Sequence, residues 1–287
     1  MLRPTAAHTR ARKFGGSTVK NFSSKVSARR LTALALAVAV TVGLSTAPSA
    51  RPAFAAEAPI GLGTAESFAI LAGTTVTNTD TPTIISGDVG VSPDAAVTGF
   101  PPGLVNNGEI HSADAVAADA QADLTIAFDD AAGRLPVESG IIDLTGRELV
   151  SGVYSGGALG LTGTVTLVGD SSSVFIFQAA STLITGSGSR VALQGDINPC
   201  NVFWQVGSSA TLGSGSEFVG TVLALTSIAA ESAATVEGRL LARNGAVTLD
   251  ANVITVPTDC ADDTTVVDDT PVAPPAVPVQ GRATFTG

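Results

Sequence analysis

A short sequence pattern recurs at nearly constant spacing in the second half of the chain, and this repeat restricts the fold more than any other feature. Similar four-residue segments begin at positions 209, 227 and 246, and similar five-residue segments begin further apart, at positions 174 and 201. A period of roughly 20 residues, as in the first set, is typical of architectures in which one structural unit stacks on the next. The longer interval of the second set predicts an insertion in one coil, close to Pro199.

The repeat units have the composition and alternation of β-strands. Within 161–167, threonines alternate with small or apolar residues, so a strand would place the three hydroxyls on one face. Three strands of four or five residues and three glycine-containing corners would fill about 18 residues. We therefore predict a mainly β fold, a parallel β-solenoid of triangular section with coils of about 18 residues. The alternative, an antiparallel sandwich, would need a turn roughly every 8–12 residues and has no reason to repeat at the longer interval.

One segment, 112–133, has helical rather than strand periodicity and predicts a single amphipathic helix. Ser112 is the expected N-cap, Asp114 suits the positive end of the helix, and Gly133 is the expected stop. A helix of about 20 residues is ~30 Å long, which matches about six coils stacked ~4.8 Å apart, so we expect it to lie along the solenoid axis. The stripe expected to face the coils consists of Val116, Ala120, Leu124, Ala127, Phe128 and Ala131.

The N-terminal segment 1–56 has the features of a secretory signal peptide. Nine of the 15 basic residues precede position 52, and they are followed by an apolar run at 31–44 and the sequence Ala53-Phe54-Ala55. The run is shorter than the ~20 residues that a membrane-spanning helix needs. We expect cleavage after Ala55 or Ala56, and a mature chain without a transmembrane segment that is secreted, extracellular or at the cell surface.

The rest of the chain divides into a folded body and a tail. Residues 57–258 form the predicted solenoid domain, and 259–287 are acidic and rich in proline, which predicts a disordered tail. The two cysteines, Cys200 and Cys260, would reside in an oxidising compartment, where an even count favours a disulfide over a metal site or a nucleophile.

The charge balance after the leader disfavours several classes of function. From Glu57 onward, six arginines and no lysine stand against 25 acidic residues, a net charge of 6 − 25 = −19. Nucleic-acid binders neutralise phosphates with Lys and Arg, so we expect no nucleic-acid partner. A carbohydrate-active β-helix enzyme would need clustered acid and base groups. The carboxylates fall instead on the predicted helix, corners and tail, with His111 as the one histidine, so we predict no catalytic residues, metal site or cofactor.

Several multi-residue stretches of this body closely resemble the microbial ice-binding (antifreeze) protein family. They are LGTAESFAILAG at 62–73, ISGDVGVSP at 85–93, AGRLP at 132–136, CNVFWQVGSSATL at 200–212 and GRLLARNGAVTL at 238–249. The resemblance covers about 60–258 and implies a discontinuous right-handed β-solenoid, in which an N-terminal strand segment, a capping region and a long helix precede the main coils.

The resemblance also implies a function, adsorption to ice through one flat solenoid face. The expected partner is an ice surface with ordered water, met by a monomer, and the candidate residues are Thr162, Thr164, Thr182, Thr211, Thr235 and Thr248. The family's motif is Thr-Ala/Gly-x-Thr/Asn, and of the corresponding slots here only 232–235 comes close, while Arg190 and Glu217 interrupt two others. A cell-surface adhesive or structural solenoid, with polysaccharide as a candidate partner, therefore remains the alternative.

Overall fold

The computed structural model of the protein describes residues 57–79, 81–258 and 260. The predicted signal peptide, 1–56, and nearly all of the predicted tail lie outside these residues, so both stay predictions. Within the described part of the chain, no helix is long and apolar enough to cross a membrane.

The described residues form short strands, one α-helix and two turns of 3-10 helix, at Gly63–Ser67 and Pro199–Asn201. The helix, α1, spans Ala115–Gly133. The strands are β1 Phe68–Ala72, β2 Thr75–Asn78, β3 Ile84–Ser86, β4 Asp88–Val91, β5 Ala96–Thr98, β6 Leu104–Asn106, β7 Ile110–Ser112, β8 Glu148–Val150, β9 Gly152–Gly156, β10 Leu159–Leu161, β11 Thr164–Gly169, β12 Phe175–Ala179, β13 Leu183–Thr185, β14 Arg190–Gly195, β15 Val202–Val206, β16 Ala210–Leu212, β17 Glu217–Ala224, β18 Ile228–Ala230, β19 Thr235–Ala242, β20 Val247–Leu249 and β21 Val253–Thr255.

The strands stack in parallel and form three faces. One face is a seven-stranded sheet in the order β10-β13-β16-β18-β20-β2-β5. A 14-stranded sheet forms the other two, because the long strands β17 and β19 turn a corner at Gly220 and Gly238, where φ is 108° and 154°. A Cβ on Gly220 would lie 2.5 Å from the carbonyl oxygen of Val202, so this corner requires glycine. The predicted parallel β-solenoid is confirmed.

The solenoid is discontinuous in sequence. The N-terminal strands β1, β2 and β3 pair with the C-terminal strands β19, β20 and β21, one on each face. The helix then follows β7, and the main coils begin again at β8. The last coils of the chain therefore lie in the middle of the stack rather than at its end.

The length of the coils differs along the chain. Ala210 pairs with Ile228 at the separation that the repeat predicts, whereas Leu183 pairs with Ala210 at a separation half as long again. The predicted insertion is the segment 196–201, which contains the 3-10 turn between β14 and β15. A second extra loop, 170–174 between β11 and β12, was not predicted.

A row of aromatic side chains fills part of the interior of the coils. Tyr154, Phe177, Trp204 and Phe218 follow one another with ring centroids 5.7, 4.0 and 5.0 Å apart. The polar atoms of these rings are paired, since the Trp204 Nε1 donates to the Val219 carbonyl at 3.0 Å and the Tyr154 hydroxyl donates to the Val150 carbonyl at 2.7 Å. Burial of these rings and their stacked and tilted contacts stabilise this part of the solenoid.

The helix covers one of the three faces, but it begins three residues later than predicted. Its N-cap is Asp114, whose carboxylate accepts from the Ala117 N–H at 2.9 Å; Ser112 instead ends β7 and donates to the Ala95 carbonyl. The hydrogen bond from Ala117, with a further bond to His111, holds the pKa of Asp114 below its usual value. The prediction of Ser112 as the cap was wrong because β7 continues the sheet through that residue.

Five of the six stripe residues are buried as predicted: Ala120, Leu124, Ala127, Phe128 and Ala131. The exception is Val116, which is exposed, while its neighbour Ala117 is buried in its place. The buried stripe packs on outward-pointing apolar side chains of the covered face, including Phe203, Leu223 and Leu241. These side chains form a second apolar core, which lies between the helix and the covered face and is separate from the core inside the coils.

Polar contacts fix the position of the helix along the coils. Asp123 accepts from both the N–H and the hydroxyl of Thr64, at 2.7 Å each, and these bonds lower the pKa of its carboxyl group. At the C-terminal end of the helix, the Gln178 side chain donates to the Ala131 and Arg134 carbonyls at 2.8 and 2.9 Å. The helix is therefore held by polar contacts at its middle and at its C-terminal end, as well as along its stripe.

The predicted disulfide is present between Cys200 and Cys260. It joins the 3-10 turn of the inserted loop to the segment that follows β21, with a Cα–Cα distance of 5.4 Å and a sequence separation of 60. Beside it, the buried Arg239 donates to the Glu66 carbonyl at 2.8 Å and contacts Cys260 Sγ at 3.5 Å. The bond thus fastens the end of the described chain over a buried guanidinium.

Replacing both cysteines with serine is expected to lower the free energy of unfolding by about 4 kcal/mol, because a loop of this length constrains the unfolded chain by about that amount in the chain-entropy model. Thermal and denaturant unfolding of the oxidised protein and the double variant measure the difference. Reductant should destabilise the parent and leave the variant unchanged, and equal stability of the two proteins would contradict the prediction.

Candidate functional site

Two of the three faces are open to solvent, and the third lies under the helix. No group of three or more His, Cys, Asp or Glu side chains in the described residues is placed to hold a metal ion. The candidate site is therefore sought on the two flat faces, where each strand presents its outward side chains in register with the next strand.

We call the outward side of the seven-stranded sheet the hydroxyl face. Its outward residues form two rows that run across the strands, because the registers of the six strand pairs are continuous. One row consists of Thr182, Ser209, Ser227, Ala246, Thr75 and Ala96; the other consists of Gly160, Ile184, Thr211, Ala229, Thr248, Thr77 and Thr98. Neither row contains a charged residue.

The hydroxyl face has the regular spacing of a parallel sheet. Neighbouring strands lie ~4.8 Å apart, and the two rows are separated by two residues of one strand, or ~6.7 Å. In the part of the second row that crosses β20, β2 and β5, the residues are Thr248, Thr77 and Thr98, and the Thr98 hydroxyl donates to Thr77 Oγ1 at 3.3 Å. The sheet thus presents threonines on three consecutive strands.

Acidic residues occur at the edge of the hydroxyl face, where their carboxylates accept hydrogen bonds from neighbouring residues. Glu231 Oε2 accepts from the N–H and hydroxyl of Ser214, at 3.2 and 3.1 Å. Asp250 Oδ1 accepts from the Thr79 hydroxyl at 2.8 Å. At the same edge, Thr162 lies beside Thr145, with hydroxyls 3.3 Å apart. The negative charge therefore lies beside the two rows rather than within them.

We call the other exposed face, formed by β8, β11, β14, β17, β19, β21, β3 and β6, the mixed face. One of its rows reads Thr164, Arg190, Glu217, Thr235, Val253, Ile84 and Leu104. Arg190 and Glu217 form an ion pair at 3.0 Å with side chains that are 57% and 59% exposed, so both project from the face. This face combines charges, apolar side chains and hydroxyls.

The structure separates the six threonines that the sequence analysis proposed for one face. Thr182, Thr211 and Thr248 lie on the hydroxyl face, Thr164 and Thr235 lie on the mixed face, and Thr162 lies at the corner between them. The prediction of a single face was wrong because each four-residue motif segment runs across the corner between the hydroxyl face and the mixed face. In four of the five slots the chain turns at a residue with positive φ: Gly188 (66°), Gly215 (65°), Ala233 (61°) and Ala251 (54°).

Three threonines of the hydroxyl face were not found from the sequence: Thr75, Thr77 and Thr98. The alternation in 75–78 is a strand pattern, but nothing in it indicates that β2 stacks on β20, which lies near the C-terminal end of the described chain. These threonines join the hydroxyl face because β2 pairs with β20, a strand that is distant in sequence.

The architecture is that of a helix-backed parallel β-solenoid whose two exposed faces carry regularly spaced outer rows. The model of the ice-binding-like family matches residues 70–255. The chain belongs to this family, as the sequence resemblance predicted.

Individual relatives agree with this assignment. An ice-binding protein of Nostoc sp. (strain HG1) is 46% identical over 198 residues, 67% of this chain and 72% of that protein. Among solved structures, an ice-binding protein from an Antarctic biological consortium has a TM-score of 0.68 and 44% identity, covering 71% of this chain and 94% of that one. An ice-binding protein of the Antarctic ascomycete Antarctomyces psychrotrophicus has a TM-score of 0.66 and 42% identity, covering 69% and 98%.

Proposed function

We propose that this protein is a secreted ice-binding protein that adsorbs to ice crystals through the hydroxyl face and inhibits their growth or recrystallisation. The observation that carries the proposal is the pair of uncharged rows in register, one across seven strands and one across six, made of small and hydroxyl-bearing residues with one larger apolar side chain, Ile184. The relatives' names support ice as the ligand.

The chemistry of the rows suits this task. A threonine hydroxyl both donates and accepts hydrogen bonds, so it can hold a water molecule in place, while the methyl groups beside it offer no competing partners. The β-branched side chain is restricted at χ1, and the strand below is rigid, so neighbouring waters would be held at the period of the sheet. A water layer with such order can join an ice surface without any catalytic step.

The mixed face is a poorer candidate. The guanidinium of Arg190 and the carboxylate of Glu217 are exposed and occupy the second and third positions of the row. Charged groups are strongly hydrated, and that hydration would compete with an ordered layer. We therefore assign ice contact to Thr182, Thr211, Thr248, Thr75, Thr77 and Thr98, without Thr164 and Thr235.

Purified protein tests the proposal in supercooled solution. We expect faceted crystals, a gap between melting and freezing temperatures that grows with protein concentration, and slower recrystallisation, with an unrelated acidic protein as the control. Disc-shaped crystals and no gap at high concentration would contradict it, and binding to cells or polysaccharide in that case would support the adhesive alternative. Sedimentation of the same sample tests the expected monomer.

A further inference from the structure

Over four consecutive strands, one row of the mixed face differs from a continuous threonine row at two adjacent positions. Thr164 on β11, Arg190 on β14, Glu217 on β17 and Thr235 on β19 occupy one row of four consecutive strands. Threonines therefore stand on both sides of the ion pair, at the ~4.8 Å spacing that also separates the strands of the hydroxyl face.

The residues beside this row would not interrupt a flat surface over three of the four strands. Thr166 and Ala192 follow Thr164 and Arg190 by two residues and lie in register with each other. Val219 follows Glu217 in the same way and is partly buried. Acidic residues flank this second row on both sides, since Glu148 on β8 pairs with Thr166 and Glu237 on β19 pairs with Val219. Between these flanks, the charges of the patch come from Arg190 and Glu217.

The ion pair contributes little to the stability of the fold. Its side chains are more than half exposed, and exposed pairs of this kind are screened by solvent. Their strands are also held by other contacts, since Val191 and Phe218, next in sequence, are buried in the core. The main effect of the ion pair is therefore on the binding properties of the mixed face and not on the stability of the fold.

We propose that the Arg190–Glu217 pair is a specificity-determining element that excludes ice from the mixed face and confines adsorption to the hydroxyl face. The inference rests on the proposed function. A molecule with one adsorbing face meets ice in one orientation, whereas two such faces at an angle would allow two orientations and two sets of ice planes.

The test replaces the pair by threonine, R190T/E217T, in two backgrounds. In the parent, we expect additional ice planes to be covered when fluorescently labelled protein is adsorbed to a single ice crystal. In the T211K background, where the hydroxyl face is disabled, we expect the double substitution to restore at least half of the parent's freezing-point depression. Threonine favours strands, so the fold should be retained, which circular dichroism and thermal unfolding verify.

The matched control is the exchanged pair, R190E/E217R, which keeps both charges and should leave the ice planes and the T211K phenotype unchanged. The inference is overturned if the folded R190T/E217T variant covers no additional ice planes, or if the same substitutions do not restore activity to T211K. An equal gain from the exchanged pair overturns it as well. If the parent itself proves inactive, a gain with R190T/E217T still supports the role of the pair and shows that the hydroxyl-face assignment alone has failed.

Discussion

The variant Thr211→Lys is expected to lose at least nine tenths of the freezing-point depression of the parent. Thr211 stands near the middle of its row, between Ile184 and Ala229 on the neighbouring strands. A long ammonium-bearing side chain there would hold the face away from ice and disturb the water bound by adjacent strands. The melting temperature of the variant should barely change, because the Thr211 side chain points outward and is partly exposed, and surface substitutions usually cost less than about 0.5 kcal/mol.

Two further lysine variants make this prediction specific to the hydroxyl face. Thr77→Lys changes the same row on the N-terminal strand β2 and should cause a similar loss, although it lies far from Thr211 in sequence. Thr235→Lys places the same charge on the mixed face and should keep the parent's activity. Full activity in both hydroxyl-face variants, or a loss confined to Thr235→Lys, would show that ice contact lies on the mixed face.

Replacing Leu124 with aspartate is expected to destabilise the whole solenoid by at least about 4 kcal/mol, since it would bury an unpaired carboxylate. Leu124 is fully buried in the cluster between the helix and the covered face. The expected result is a large drop in melting temperature, or failure to fold during expression. Calorimetry or circular dichroism melting of the purified variant measures the change.

Ile126→Asp provides the control for the helix variant. Ile126 lies two residues further along the same helix and is 66% exposed, so the same change in chemistry should cost little. A melting curve for Leu124→Asp that coincides with that of Ile126→Asp would mean that the buried stripe does not hold the helix to the coils.

The repeat and the local patterns by themselves determined the architecture. The interval between the later repeats leaves room for three short strands and their corners, and the structure contains that coil in the pairs of β16, β18 and β20. The change from strand to helical periodicity located the helix, with Leu124 and Phe128 on its buried side. The pairing of Cys200 with Cys260 followed from their number and the predicted compartment. The coil and the helix depend on local sequence patterns, and the disulfide depends on the chain having only two cysteines, so that neither has an alternative partner.

The tertiary structure decided which residues share a surface. A corner that contains one residue with positive φ rotates the chain, so Thr235 faces away from Thr211 although both are threonines of neighbouring repeats. The pattern of the repeat is the same on either side of a corner, and the direction of a side chain changes with a shift of one residue.

Long-range pairing decided the rest. The stacking of β2 on β20 brings Thr77 beside Thr248, and the continuation of β7 through Ser112 moves the helix cap to Asp114. Neither outcome is encoded within a short window, because a parallel strand offers the same backbone hydrogen bonds to many possible neighbours. Only burial of the complete stack selects one of them, so the sequence by itself determined the kind of surface this protein has, and the tertiary structure decided which threonines form it.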